Sequence, residues 1–280
     1  MNPQAFVFLL GATSLTAQTA PADPVAIVTR SVELDRLNTM RARDYTFIQK
    51  IEHKEFEAGK VKKLESDTYD VVILGNRPYR KKIARNDKPL SADEAAKVQS
   101  EFDKEIRKRQ SEGEEERKKA LAQEQKREHD SREFLAEIPR AFDFRIVGEE
   151  LVDNCKTWVI DATPKPGYRG RVKHWELLTK FQGRFWIDQS EYQWVRVQAV
   201  TIAPVSFGWF LARLEPGAKL NFLQSRVNSE VWLPARATTR LNARIALFRR
   251  LDGEIEVTWK DYKKFQADSH IVEAREALPQ

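Results

Sequence analysis

Residues 183–200 read GRFWIDQSEYQWVRVQAV. Phe185 and Ile187 alternate with Trp186 and Asp188, Gln189-Ser190-Glu191 interrupts the run, and Val195, Val197 and Ala199 then alternate with Trp194, Arg196 and Gln198. A period of two on both arms predicts a two-stranded antiparallel ribbon. One of its sides is apolar throughout, while the other carries tryptophans among polar groups.

Working outward, the same alternation recurs in FDFRIVGEELV, TWVIDATP, KLNFLQSRV, EVWLPARATTRLNARIAL and EIEVTWKDYKKF. Asp-Asn, Asn-Ser or Asp-Gly pairs separate these runs, and the connections are too short for crossover helices, so the pairing is antiparallel. Upstream, DYTFIQKIEHKEFE, the turn AGK and VKKLESDTYDVVILG predict a long hairpin, with Gly59 supplying the turn. A third strand follows from Pro78 to Arg85, closed by Asn86-Asp87. The regular spacing predicts one meandering sheet that curls on itself.

Two segments depart from this period. From Pro24 to Arg43, Val25, Val28, Val32, Leu37 and Met40 recur at near-helical spacing and predict an amphipathic helix. Ser91-Ala92-Asp93-Glu94 is a capping box, and the chain from there to about Glu137 is dominated by Glu, Lys, Arg and Gln. Phe102, Ile106, Leu121 and Phe134 are its isolated anchors. Both charge signs are interleaved, which fits a solvated helical excursion, broken near Ser111-Glu112-Gly113, better than a nucleic-acid arm. The predicted class is therefore mainly β (α+β): a curled antiparallel sheet forming a half-open barrel, closed by helices, with a charged helical insertion.

Across 280 residues, 41% hydrophobic content suffices for a sizeable core. A formal charge of +6 and a pI near 9.3 favour anionic partners. The opening MNPQAFVFLLGATSLTAQTAPADP has no charged side chain before Asp23, and an apolar run gives way to small residues, as in a secretory signal cleaved after Ala17, Ala20 or Ala22. Residues 1–22 are accordingly read as a signal peptide, 23–272 as one domain containing the 91–137 excursion, and 273–280 as a tail. Beyond the signal no apolar run approaches the roughly 20 residues of a membrane helix. Cys155 is the only cysteine, so no intramolecular disulfide forms; after Asp153-Asn154 it reads as a strand-edge residue.

An enzyme needs a constellation of reactive groups, and none is legible. His53, His129, His174 and His270 show no metal-ligand spacing, and neither a phosphate loop nor a GxSxG elbow occurs. Asp161 and Asp188 end the runs WVID and FWID, where a carboxylate ordinarily meets turn amides rather than sharing acid and base work. Trp-Arg alternation in YQWVRVQ could grip a single strand, but the export signal and the lack of any RNP-type or helix-turn-helix pattern argue against nucleic acid. No catalytic residue, metal or cofactor is expected. In APVSFGWFLARL, residues 203–214, Phe207, Trp209, Phe210 and Leu211 crowd around Gly208. This segment reads either as a lid over an apolar hollow or as one more core strand or packing helix.

These features in order — signal, first helix leading into NTMRARDYTFIQKIE, WVIDATP, then GRFWIDQSEYQWVRVQAV — resemble the periplasmic lipoprotein-carrier superfamily of the LolA, LolB and anti-sigma-regulator type, and its outer-membrane lipoprotein-sorting proteins in particular. The resemblance spans about Val25 to Val272, with most weight on Trp158 to Val200. It implies a half-open antiparallel barrel whose concave face encloses a hydrophobic cavity for acyl chains, in the periplasm or cell envelope, without catalysis. The charged excursion has no counterpart in the small carriers, and the single arginine that holds their lid has no match here.

On this reading Phe185, Ile187, Val195, Val197 and Ala199 face the hollow, with Trp158 and Ile160, and Val257 and Trp259, joining from other strands. Trp186 and Trp194 lie on the other face as a cross-strand pair. The expected ligands are lipid or lipoprotein acyl chains, with an anionic membrane surface or an envelope protein as further partners. The alternative is a periplasmic scaffold or stress-sensing module that contacts a protein through the charged excursion.

Overall fold

The computed structural model describes residues 22–74, 77–207, 212–245 and 249–265. Helix α1 (Pro24–Ala42) starts where the Asp23 carboxylate accepts the Val25 N–H and Pro24 occupies the first turn. Strands β1 (Tyr45–Glu57) and β2 (Lys60–Leu74) form the long hairpin, with Ala58 and Gly59 at φ 49° and 76° in its turn. Strand β3 (Arg77–Arg85) returns beside β2, and the left-handed pair Asn86-Asp87 leads into the short β4 (Lys88–Pro89). Helices α2 (Ala92–Ser111), α3 (Glu114–Ala136) and α4 (Ile138–Ala141) follow. The Ser91–Glu94 capping box is formed in both directions at the start of α2.

Beyond the helices come β5 (Phe142–Val152), β6 (Cys155–Pro164), a 3-10 helix (Trp175–Lys180), β7 (Phe181–Asp188) and β8 (Trp194–Thr201). The chain continues through β9 (Val205–Phe207), β10 (Ala212–Leu214), β11 (Lys219–Val227), β12 (Val231–Ile245) and β13 (Arg249–Lys264). Among the described residues these strands make one antiparallel sheet in the order β4-β3-β2-β1-β13-β12-β11-β8-β7-β6-β5, with β10 pairing the far end of β12 and β9 pairing β10. The sheet is not closed: β4 and β5 stand at its two ends. Helices α2 and α3 lie between those strands in sequence, so the charged excursion carries the chain from one end of the sheet to the other.

Three expectations are corrected by this arrangement. Of the predicted apolar stripe on α1 only Val28 is buried; Val25, Leu37 and Met40 are 42%, 43% and 53% exposed. The buried face is instead Ile27, Val28, Ser31 and Asn38: Ile27 and Val28 pack into the core, and Asn38 bonds the Trp232 backbone. Asp252-Gly253, read as a turn, lies within β13, where a Cβ on Gly253 would stand 3.3 Å from the Lys54 carbonyl of β1. Thirdly, the β7–β8 register shifts after Trp186↔Arg196, so that Ile187 opposes Trp194 and Val195 is the extra residue of a bulge.

That bulge exchanges the faces of Trp194 and Val195 and leaves Val197 and Ala199 in their expected phase. Trp194 turns to the helix-covered face and meets the Phe185 ring, centroids 5.3 Å apart, while Val195 packs with Trp186, Val159 and Trp232 on the opposite face. The expected Trp186–Trp194 pair therefore does not form. Trp186 instead donates its indole N–H to Glu150 at 2.7 Å and lies beneath the Arg196 guanidinium.

Candidate functional site

Directly opposed residues of antiparallel strands share a face. One such row crosses most of the sheet: Ile160 opposes Phe185, Phe185 opposes Val197, and Val197 opposes Phe222. It continues from Phe222 to Ala237, Val257, Ile51 and Asp67. A neighbouring row on the same face runs Trp158–Ile187–Trp194, and another joins Trp259, Gln49 and Tyr69. Period-two alternation thus places eight of the nine expected lining residues on one face; Val195 is the exception, displaced by the bulge.

The two halves of the row have different surroundings. At the β5–β7 end, Ile160, Ile187 and Phe185 are 0%, 0% and 7% exposed, packed against Ile27 and Val28 of α1, Ile138 and Ala141 of α4, and Leu178 of the 3-10 helix. Trp158 and Val197 pack at the rim of that cluster. Here the chain's own side chains fill the hollow, so Ile160, Ile187 and Phe185 are structural core. Each such side chain contributes about 1.5–3 kcal/mol of burial, which a ligand would have to replace.

Past Val197 the row is half-buried. Phe222, Ala237, Val257 and Ile51 keep partial exposure, as do Trp259, Tyr69 and Gln49 beside them. Helix α1 seats on β5, β7 and β12, whereas α2 seats on β3 from the reverse side, where Phe102 packs against Tyr79 at 5.3 Å and Tyr79 opposes Val72. The result is a half-buried, largely apolar strip across β11–β12–β13–β1–β2, termed the trough, continuous with the core. Its floor has one orphan: Gln49 Oε1 is buried without a hydrogen-bond partner. At the β3 margin the Arg80 guanidinium lies 4.2 Å from the centroid of the Tyr69 ring.

The reverse side of the same strands is a charged ladder. Lys54 pairs with Glu254 and Glu52 at 3.1 Å each, Lys50 with Glu52 at 3.3 Å, and Arg236 with Glu256 at 2.6 Å. The hydrogen bond to Glu254 holds the Lys54 ammonium above its ordinary pKa. Partly exposed pairs of this kind add little stability individually.

Other candidate groups are absorbed structurally. Asp188 accepts from Ser190 N, Ser190 Oγ and Glu191 N at 3.0, 2.6 and 2.6 Å, the turn-amide role expected of it. Asp161 departs from that expectation: it opposes Arg184, whose Nε donates at 2.5 Å and holds the carboxyl below the usual aspartate range, despite partial burial. Asp188 opposes Thr157, so the two aspartates do not meet. Burial, with Asp188 nearby, pushes the Cys155 thiol up and away from nucleophilic character. Among the described residues no group of His, Cys, Asp and Glu is arranged to hold a metal ion, and no helix is long and apolar enough to cross a membrane.

Of the expected lid, Trp209, Phe210 and Leu211 lie outside the described residues, and Phe207 ends β9. Its flanks form the β9–β10 hairpin, with Ala212 opposing Phe207 and Ile245. Sequence reading missed Gln49, Ile51, Tyr69, Phe222 and Ala237 as trough residues. The alternation of TFIQKI and KLNFLQ carried the signal for Ile51 and Phe222, but assigning them to this face needs the cross-strand register.

Neither a family model nor a curated protein matches this sequence. Solved structures to which the chain is similar include a DUF1329 family protein from Desulfovibrio piger, at 11% identity and TM-score 0.34 over 89% of this chain and 96% of that one. A LolA superfamily protein from Nitrosomonas europaea matches at 9% identity and TM-score 0.31 over 88% of this chain and 94% of that one. An outer membrane lipoprotein-sorting protein domain from Vibrio parahaemolyticus matches at 11% identity and TM-score 0.31 over 87% of this chain and 95% of that one.

Proposed function

We propose that this protein is a non-catalytic binding protein of the cell envelope that holds acyl chains of a lipid or lipoprotein in the trough. The observation that carries the reading is the change of surroundings along one row. The same apolar face that α1 seals at Phe185 and Ile160 continues, half-exposed, through Phe222, Ala237, Val257 and Ile51. Covering such a surface needs no reactive group, since each buried methylene contributes about 0.8 kcal/mol. Export by residues 1–22, a single domain over 23–272, and a lid role for Phe207, Trp209, Phe210 and Leu211 belong to this reading.

Titration with a fluorescent fatty acid tests it. Val257→Asp should lower affinity at least tenfold while the circular dichroism spectrum and melting temperature stay near wild type; unchanged affinity would remove the trough as the site. A second reading, a protein-binding scaffold, draws on α2 and α3, neither of which has a buried residue. Loss of a partner complex on deletion of 91–137, with fatty-acid affinity retained, would favour it.

A further inference from the structure

The margin of the trough on β3 is cationic, and its charges are unequally committed. Lys82 pairs with Asp67 at 2.7 Å, and Arg85 pairs with Glu94 at 2.8 Å and with Asp67 at 3.7 Å. Arg80 is exposed, and among the described residues no carboxylate pairs with it; its guanidinium rests on the Tyr69 ring. An aromatic face fixes the direction of a guanidinium without using its hydrogen-bond donors, which stay free for an anion.

Arg80 also occupies a defined place relative to the apolar floor. It opposes Val71, which opposes Phe47, while Tyr69 beneath it opposes Gln49, and Gln49 opposes Trp259. From β3 to β11 the sheet advances five interstrand steps, about 24 Å at about 4.8 Å each. One end of that path presents a free cation, β1 two steps on presents an unpartnered amide oxygen, and β13 to β11 present Val257, Ala237 and Phe222. An unsatisfied acceptor in such a position can be paired by water or by a hydroxyl or amide N–H of a ligand.

We infer that the trough takes an anionic acyl amphiphile in one orientation, its acidic head on Arg80 and its tail running over Val257 toward Phe222. This rests on the acyl-binding reading above and adds ligand charge and polarity to it. The free donors of Arg80 select the acid over its neutral ester, and Lys82 and Arg85, held by Asp67 and Glu94, contribute less.

The test compares dansyl-undecanoic acid with its methyl ester, titrated into the full chain and into Arg80→Gln and Arg80→Lys. Wild type should prefer the acid about fivefold, the scale of a partly exposed charge pair. Arg80→Gln should bring acid and ester to equal affinity without weakening the ester, and Arg80→Lys should retain part of the preference. Equal wild-type affinities, or a preference that survives Arg80→Gln, would overturn the head-group assignment and leave the trough standing. Failure of both probes to bind would overturn the acyl-binding reading itself, and the head-group assignment with it.

Discussion

Asn38 and Trp232 lie 194 positions apart and close a reciprocal pair of hydrogen bonds: Asn38 Nδ2 donates to the Trp232 carbonyl and the Trp232 N–H donates to Asn38 Oδ1, both at 2.7 Å. One side chain of α1 thereby supplies both backbone groups at the start of β12 with partners. The helix is held where it seals the β5–β7 half of the inner face, and the seal ends where the trough begins. Asn38→Leu leaves a buried N–H and a buried C=O unpaired and should lower unfolding free energy by about 2–4 kcal/mol. Urea denaturation measures this, and an unchanged midpoint would show that the pair does not anchor the helix.

Gly183 faces a neighbour that cannot yield cheaply. A Cβ there would stand 2.8 Å from the backbone oxygen of Gln198, so Gly183→Ala must push β7 and β8 apart. The expected loss is about 1–3 kcal/mol. Gly148, with nothing within 4 Å of its hypothetical Cβ, is the control; Gly148→Ala should change stability by less than about 0.5 kcal/mol in the same denaturation series.

The two halves of the inner row should respond unequally to a carboxylate. Ile160 is fully buried, and Ile160→Asp places an unpaired charge in the core, which should abolish cooperative unfolding. Val257→Asp has solvent within reach and should cost less than about 1.5 kcal/mol. Thermal melts of both variants separate the sealed part of the face from the open part; equal losses would mean the trough is core as well.

The Asp161–Arg184 pair predicts a pH dependence of definite sign. The guanidinium lowers the folded-state pKa of Asp161 below its ordinary 3.8, so the contribution is complete above that pH and disappears as pH falls through the lowered folded value. Because the Arg184 side chain is 43% exposed, the contribution should be under about 1 kcal/mol. Asp161→Asn should accordingly cost stability at pH 7 and progressively less below pH 3.8. A loss that grows on acidification would contradict the assignment.

Much of the architecture was legible because turn chemistry is local. Ala58-Gly59, Asn86-Asp87, Asp153-Asn154 and Asn228-Ser229 all adopt left-handed backbone, favoured by the Gly, Asn and Asp in each pair, and each closes a hairpin. The Ser91–Glu94 cap was readable for the same reason. What failed depends on neighbours distant in sequence. Nothing in YQWVRVQ marks Val195 as a bulge, since its alternation is unbroken; the register of β7 against β8 displaces it. The buried face of α1 is selected by Asn38 meeting Trp232, and hydropathy instead favoured Leu37 and Met40, which remain exposed. Alternation alone grouped the sealed and open halves of the inner face together, because covering them differently is the work of α1, α4 and the 3-10 helix.

Native mass spectrometry of the protein gently extracted from its own compartment, beside Val257→Asp prepared identically, tests the acyl-binding trough most directly. The account predicts added mass of one or more acyl-bearing molecules on the wild type and their loss from a variant that remains folded. Bare wild-type protein, or equal lipid mass on both, would contradict it.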